Sequence, residues 1–162
     1  MRNGKKYIIF VCTGNSCRSP MAEGIARKIF CEYNLPIEVN SFGTLDLGGS
    51  PPSELVQRVC ARNGIDISSH RSQILDKKSA EEADVILTME SAHIFWISEH
   101  LGSDVAQKAI LLTNYGIEKQ NVEEDIEIPD PLGTAIDFHE IVFDMLKSEI
   151  ERIARWERKK IS

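Results

Sequence analysis

The sequence predicts an α/β fold: a doubly wound, four-stranded parallel sheet with helices on both faces. Its short apolar runs are continuous rather than alternating with polar residues, which is typical of strands covered on both sides. Between them lie segments whose apolar residues recur every three or four positions. Strands and helices therefore alternate along the chain, and parallel strands joined by right-handed crossovers are expected.

Four apolar segments are predicted to form the strands. They cover residues 6–12, 37–42, 84–89 and 109–112. The first is a β-branched run that ends in a Thr-Gly-Asn-Ser cluster, which indicates a buried strand followed by a loop. Because ligands of such sheets bind beyond the carboxyl ends of the strands, that loop is the first place to look for a site.

Helices are predicted between and after these strands. The first begins at Ser19-Pro20, because proline suits the first helical position. The second is entered through Pro51 and Pro52 and ends at Asn63-Gly64. A third covers about residues 91–100, and a long final helix covers about residues 135–156 with an apolar stripe at helical spacing.

Composition and charge limit the function classes. With 162 residues, 42% hydrophobic and 27% charged, residues 1–162 are expected to form one globular domain. The formal charge of −6 argues against nucleic-acid binding. The apolar run that begins at Tyr7 is too short for a signal peptide or membrane span, so a cytoplasmic location away from membranes is expected. The four cysteines lack zinc-site spacing, and no metal or cofactor is expected.

The loop after the first strand carries the predicted chemistry. Cys12 and Arg18 lie six positions apart, between a buried strand and a helix start. Backbone N–H groups of a tight loop and the helix N-terminus can converge on one tetrahedral anion, and an arginine can add two parallel hydrogen bonds. The predicted phosphate-binding residues are Thr13, Gly14, Asn15, Ser16, Cys17 and Arg18.

The same positive potential favours a thiolate at Cys12, which would be positioned for in-line attack on the bound phosphoryl group. Ser19 is expected to donate a hydrogen bond to the sulfur, and Asn15 to hold the loop in shape with a positive φ. The Gly-Lys-Ser/Thr ending of nucleotide-binding loops is absent. The alternative, a buried cysteine with an arginine paired elsewhere, is disfavoured by the Ser-Pro helix start directly after Arg18.

Residues 11–23, reading VCTGNSCRSPMAE, resemble the signature of the low-molecular-weight protein phosphatases. The resemblance spans nearly the whole chain and includes Ser-Phe-Gly-Thr at 41–44, Ala-Asp-Val-Ile-Leu-Thr-Met at 83–89 and Asp130-Pro131. It implies that Cys12 is the nucleophile, Arg18 the phosphate clamp and Asp130 the general acid. Without the family, Asp-Pro is only a turn signal, although a poor leaving group does need a proton donor.

The resemblance also concerns residues around the loop. In the family, cysteines at the positions of Cys12 and Cys17 can join reversibly under oxidation; the alternative for Cys17 is a small buried residue. His70 resembles the histidine that braces the phosphate loop, although Gln73 departs from an arginine often found nearby. The other cysteines are predicted to pack between helices, and the other histidines to be surface or packing residues: Cys31, Cys60, His93, His100 and His139.

The substrate is expected to be a phosphorylated protein or peptide, with inorganic phosphate as the product. Tyrosine-specific members line the pocket with aromatic residues, whereas this chain has Leu45, Leu47 and Leu132-Gly133 in the corresponding regions. The pattern is closer to the bacterial arginine phosphatases, and Ser16 keeps the hydroxyl of their threonine without its methyl group. The acidic stretch 123–127 would favour a cationic substrate, although such a stretch is more commonly a solvated loop. Phosphoarginine is therefore favoured slightly over phosphotyrosine.

Two other functions use the same loop. A thioredoxin-coupled arsenate reductase needs a resolving pair of cysteines in the later part of the chain, and residues 76–100 contain none. A non-catalytic reader of phosphoproteins would have no need to keep Cys12, Arg18 and Asp130 together. Both alternatives are disfavoured relative to a phosphatase.

Overall fold

The computed structural model describes all residues, 1–162, and it contains one four-stranded parallel sheet. The strands are β1 (Lys6–Cys12), β2 (Ile37–Gly43), β3 (Val85–Thr88) and β4 (Ala109–Leu111), in the order β2-β1-β3-β4. All three strand pairs are parallel, and Val11 of β1 lies beside Phe42 of β2 and Thr88 of β3. The predicted fold class is confirmed.

Six α-helices flank the sheet. They are α1 (Arg18–Glu32), α2 (Glu54–Arg62), α3 (Lys77–Glu82), α4 (Ser91–Leu101), α5 (Ser103–Ala106) and α6 (Ile136–Ile161). The helices α3 and α5 were not predicted, because with six and four residues they are too short to show a periodic apolar face. No helix combines the length and the apolar character that a membrane crossing requires.

The core has two parts, one on each face of the sheet. Ile8, Phe10 and Cys12 of β1 face a cluster that also contains residues of α1, α2 and α6. The alternate residues Tyr7, Ile9 and Val11 face a smaller cluster packed by α3, α4 and α5. This alternation on a strand buried from both sides is why its sequence is a continuous apolar run. It also places Cys12 on the α1 face, at the carboxyl end of β1, one of the two central strands.

The final helix is longer than predicted, ending at Ile161 rather than Trp156. Glu157 is buried and pairs with Lys6 of β1 at 2.6 Å, a contact that holds the additional helical residues against the sheet. Three cations in the last turn complement the negative end of the helix dipole. Cys31 was predicted to pack against other helices, but it is exposed on the outer face of α1; that prediction was wrong.

The long connection between β4 and α6 has little regular structure, yet it is tied to the sheet. Ile128 is buried, and its N–H donates to the Met89 carbonyl at 2.9 Å, just beyond β3. Thr113 Oγ1 donates to the Ile126 carbonyl at 2.6 Å. These contacts bring Asp130, two residues after Ile128, to the carboxyl edge of the sheet.

Candidate active site

The phosphate loop, residues 12–18, begins at the last residue of β1 and ends at the first residue of α1. Cys12 is 2% exposed, and its Sγ lies 2.9 Å from Ser19 Oγ. The Ser19 hydroxyl also lies 3.3 Å from the Phe42 carbonyl. Its single proton therefore has two alternative acceptors, of which the Cys12 sulfur is the nearer.

Asn15 holds the loop from behind. It has φ of 52°, as expected, and is fully buried. Its Nδ2 donates to Ser19 Oγ at 2.8 Å and to Ser41 Oγ at 3.0 Å, while its Oδ1 accepts from the Gln73 N–H at 2.9 Å. The Asn15 carbonyl accepts from His70 Nε2 at 3.0 Å. A left-handed residue whose side-chain amide and backbone carbonyl are both hydrogen-bonded fixes the curvature of the loop.

His70 lies behind the loop, where its ring bonds the Asn15 backbone directly. Its other nitrogen, Nδ1, lies 3.9 Å from Glu23 of α1. Burial is the largest influence on Glu23 and raises the pKa of its carboxyl. Gln73, where an arginine is often found, joins the same network by bonding Asn40 and the Ser41 carbonyl.

The Arg18 guanidinium is 2% exposed and is held on two sides. Its Nη1 donates to Glu90 Oε2 at 2.9 Å and to the Ile128 carbonyl at 2.8 Å. Its Nη2 lies 3.7 Å from Asp130 Oδ2 and 3.5 Å from Thr13 Oγ1. A buried charge of this kind needs both an ionic partner and hydrogen bonds, and Glu90 and Ile128 supply them. Nη2 stays available at the side of the loop.

A cavity of about 140 Å³ opens above the loop. Its lining residues come from the phosphate loop, from Asp130 and from an apolar rim of three leucines. They are Cys12, Thr13, Gly14, Ser16, Cys17, Arg18 and Asp130, with Leu45, Leu47 and Leu132. The structure thus gathers the predicted catalytic residues around one concave surface. Asn15, also predicted to bind phosphate, is not among the lining residues, and its side chain bonds Ser19, Ser41 and Gln73 behind the loop; its role in phosphate binding stays a prediction.

Asp130 lies at the mouth of this cavity and is 44% exposed. Its Oδ1 accepts the N–H of Leu132 at 3.0 Å, so the carboxyl is oriented by its own turn. Its Oδ2 faces Arg18. A carboxyl that reaches both solvent and the guanidinium is placed to transfer a proton to or from a group bound beside Arg18.

The cysteines differ in their surroundings, and all four are free. Cys17 lines the cavity close to Ser53 Oγ, at 3.5 Å, and burial raises the pKa of its thiol. Burial also raises the pKa of Cys60 to about 12, in agreement with its predicted packing role. The redox pairing of Cys12 with Cys17 stays a prediction.

Two functional candidates were missed. His93 was predicted to be a surface or packing residue without a partner, but it is 3% exposed and its Nε2 lies 3.0 Å from Thr13 Oγ1. Burial, and next the nearby Arg18 charge, lower the pKa of His93 to about 4. Glu90 pairs with Arg18 and precedes α4. The available signal was a charged residue just beyond a buried strand, at the edge where ligands bind.

Comparisons with known proteins agree with this geometry. The family described as "Low molecular weight phosphotyrosine protein phosphatase" matches residues 7–161. The low molecular weight protein-tyrosine-phosphatase Etp of Escherichia coli K12 is 33% identical over 149 residues, 91% of this chain and 92% of that protein. A protein-arginine-phosphatase of Geobacillus stearothermophilus is 36% identical over 149 residues, 91% of this chain and 93% of that protein.

A solved structure shares the fold across nearly the whole chain. It is a YwlE arginine phosphatase mutant with a phosphorylated active-site serine, 28% identical, with a TM-score of 0.82. The alignment covers 92% of this chain and 93% of that one.

Proposed function

Because this chain belongs to the low molecular weight phosphotyrosine protein phosphatase family, we propose that it hydrolyses phosphorylated protein side chains through a phosphocysteine formed on Cys12. Membership of this family shows that the protein is a cysteine-dependent hydrolase of phosphorylated residues. One observation carries the proposal. The Cys12 thiol, the Arg18 guanidinium and the Asp130 carboxyl line a single cavity of about 140 Å³.

In the first step, the Cys12 thiolate attacks phosphorus and the bond from phosphorus to the side-chain oxygen or nitrogen breaks. Arg18 Nη2 and the N–H groups of the phosphate loop stabilise the charge that develops on the phosphoryl oxygens. The Ser19 hydroxyl, 2.9 Å from the sulfur, donates to the thiolate. Asp130 gives its proton to the leaving group, which departs neutral.

In the second step, the Asp130 carboxylate takes a proton from a water molecule, which attacks the phosphocysteine. The phosphorus–sulfur bond breaks, the Cys12 thiolate returns and inorganic phosphate is released. Asp130 suits both roles because its Oδ2 lies 3.7 Å from Arg18 Nη2 while the side chain remains open to solvent.

For the substrate, we propose phosphoarginine ahead of phosphotyrosine. No aromatic ring lines the cavity, so a phosphotyrosine ring would have no aromatic partner there. The guanidino group of phosphoarginine would find the Ser16 hydroxyl and the Asp130 carboxyl, both of which line the cavity and can donate a hydrogen bond to a nitrogen of the leaving group. The similar proteins include one named as an arginine phosphatase and one named as a tyrosine phosphatase, so the substrate needs a direct test.

The arsenate reductase alternative finds no support in the positions of the cysteines. Besides Cys12 and Cys17, the chain has an exposed cysteine, Cys31, on α1 and a buried one, Cys60, on α2. Neither lies among the residues that line the cavity. A resolving pair for thiol–disulfide exchange is therefore missing from the later part of the chain.

The test compares two peptides of identical sequence that carry phosphoarginine or phosphotyrosine, at matched concentration, with p-nitrophenyl phosphate as a third substrate. We expect Cys12→Ser to abolish turnover, a loss on the order of 10⁴-fold or more. Asp130→Asn should lower kcat by roughly 10²- to 10⁴-fold. Cys31→Ser, an exposed cysteine outside the cavity, is the matched control and should keep full activity. Turnover that survives in Cys12→Ser would refute the assignment of Cys12 as the nucleophile.

A further inference from the structure

His93 connects the phosphate loop to the N-terminus of α4, and its two ring nitrogens have different partners. Nδ1 accepts the Glu90 backbone N–H at 3.1 Å, which closes the capping box of α4. A nitrogen that accepts this bond carries no proton, so the neutral ring has its proton on Nε2. Nε2 lies 3.0 Å from Thr13 Oγ1 and 3.4 Å from Glu90 Oε2. Its nearest acceptor is therefore the Thr13 hydroxyl.

The Thr13 hydroxyl has two lone pairs and one proton to place. One lone pair accepts from His93 Nε2, and the other faces Arg18 Nη2 at 3.5 Å. Both neighbours are donors, so neither can accept the Thr13 proton. Thr13 is exposed and lines the cavity above Cys12. The proton is therefore free to turn toward the cavity, where a phosphoryl oxygen bound beside Arg18 could accept it.

Glu90 keeps this arrangement fixed. Its side chain holds Arg18 Nη1 at 2.9 Å, while its backbone holds His93 Nδ1. The same residue thus orients both donors that reach the Thr13 hydroxyl. His93 is buried, with 3% of its surface exposed. Its lowered pKa, about 4, keeps the ring neutral near pH 7.

We propose that His93 is a positioning residue for phosphate binding: it acts through the Thr13 hydroxyl and keeps the proton of that hydroxyl directed at a phosphoryl oxygen. This inference rests on the proposed function, because it needs a phosphoryl group in the cavity. The competing explanation is that His93 only fills space and caps α4. The two explanations differ in whether the effects of changing His93 and Thr13 depend on each other.

A double-mutant cycle on p-nitrophenyl phosphate hydrolysis tests the dependence. Thr13→Val removes the hydroxyl and keeps the shape, and should lower kcat/KM roughly 10- to 100-fold, the effect of one hydrogen bond to a charged group. His93→Ala should lower kcat/KM by roughly 3- to 10-fold, the effect of one neutral hydrogen bond. Their combination should be no slower than Thr13→Val alone. The inhibition constant for inorganic phosphate should rise in His93→Ala, but not when His93→Ala is added to Thr13→Val.

Two further variants separate positioning from folding. Glutamine at the third helical position can complete a capping box, so His93→Gln keeps the α4 cap and supplies an amide N–H toward Thr13. It should recover most of the activity lost in His93→Ala. His139 is the matched control, a buried histidine at the start of α6 that bonds the Ala135 carbonyl and has no contact with Thr13. In the double variant His139→Ala with Thr13→Val, the fold-loss of kcat/KM should equal the product of the two single losses.

The outcomes distinguish the two levels of the proposal. If the fold-losses of kcat/KM in His93→Ala and Thr13→Val multiply in the double variant, and every variant keeps some activity, the positioning role is overturned and the phosphatase function stands. A wild-type protein that hydrolyses no phosphorylated substrate overturns the proposed function itself. Phosphate inhibition that is unchanged in Thr13→Val would also refute the inference, because the hydroxyl proton would then have no phosphate to bind.

Discussion

The floor and the rim of the cavity are built in different ways. The floor is the phosphate loop, held from below by residues that are fully buried and hydrogen-bonded: Asn15, Ser19 and Ser41. The rim consists of Leu45, Leu47 and Leu132, which are 54%, 37% and 64% exposed. The floor is fixed by specific polar contacts, whereas the rim side chains make none.

This difference separates chemistry from specificity. Buried polar groups are costly to change, because each lost partner leaves an unsatisfied donor or acceptor. Exposed leucines can be changed at little cost to folding. The floor therefore binds the part common to all phosphorylated side chains, and the rim meets the part that differs between them. Substitutions in the two regions should affect different measured quantities.

The largest effect is expected at Asn15. Asn15→Ala removes three side-chain hydrogen bonds and places alanine at φ of 52°. The free energy of unfolding should fall by about 3–5 kcal/mol, which combines unsatisfied partners with backbone strain. Activity on all phosphorylated substrates should fall together, since the loop loses its shape. Urea unfolding followed by fluorescence, with initial rates on each substrate, measures both.

Asn34 is the matched control for this substitution. It has φ of 53° but is exposed and makes no side-chain hydrogen bond. Asn34→Ala should therefore cost only the backbone strain, about 1–2 kcal/mol, and leave kcat/KM unchanged. Equal losses of stability in the two variants would show that the buried network under the floor contributes nothing, and the contrast between floor and rim would fail.

A second, smaller effect concerns the pH dependence of stability. Burial lowers the pKa of His93 from its ordinary value of 6.5 to about 4. Between these values the unfolded chain binds a proton that the folded chain does not, so this contribution to stability is lost as the pH falls from 6.5 toward 4. It should amount to about 2–3 kcal/mol between pH 7 and pH 4. Urea unfolding at a series of pH values measures it.

His93→Gln should reduce this pH dependence, because glutamine has no titrating group there. The charged groups that face His93 are Arg18 from α1, Glu90 before α4 and Asp130 from the long connection, and all three remain in the variant. The raised pKa of Glu23 acts in the opposite direction and cancels in the comparison. Parallel stability curves for the two proteins would mean that His93 titrates normally in the folded state.

The floor was predictable from the sequence because its reactive residues lie in one short segment of the chain. Cys12, Asn15, Arg18 and Ser19 follow one another from a strand into a helix, so local patterns place them correctly. Asp130 was assigned through the family resemblance, since its approach to Arg18 depends on Ile128 binding near the end of β3. Local spacing contains no information about that contact.

His93 and Glu90 were missed for the same reason. They reach Thr13 and Arg18 only because β3 pairs with β1 in a register that sets Thr88 beside Val11. Apolar periodicity predicts that both strands exist but not how they align. The substrate was the least predictable feature, because the rim comes from two loops of distant sequence, which contribute Leu45 and Leu47 on one side and Leu132 on the other.

The smallest effect is expected at the rim, where it should be selective. Leu132→Tyr places an aromatic ring at the mouth of the cavity, beside the position that a phosphotyrosine ring would take. The ratio of kcat/KM for phosphotyrosine to that for phosphoarginine peptides should rise by about 2- to 10-fold, the range given by one aromatic pair. Ile141→Tyr is the control, since Ile141 is 54% exposed on α6 and does not line this cavity. The rim does not select the substrate if Leu132→Tyr leaves the ratio unchanged or lowers both rates equally. Specificity must then come from the floor, where Ser16 would be the next residue to change.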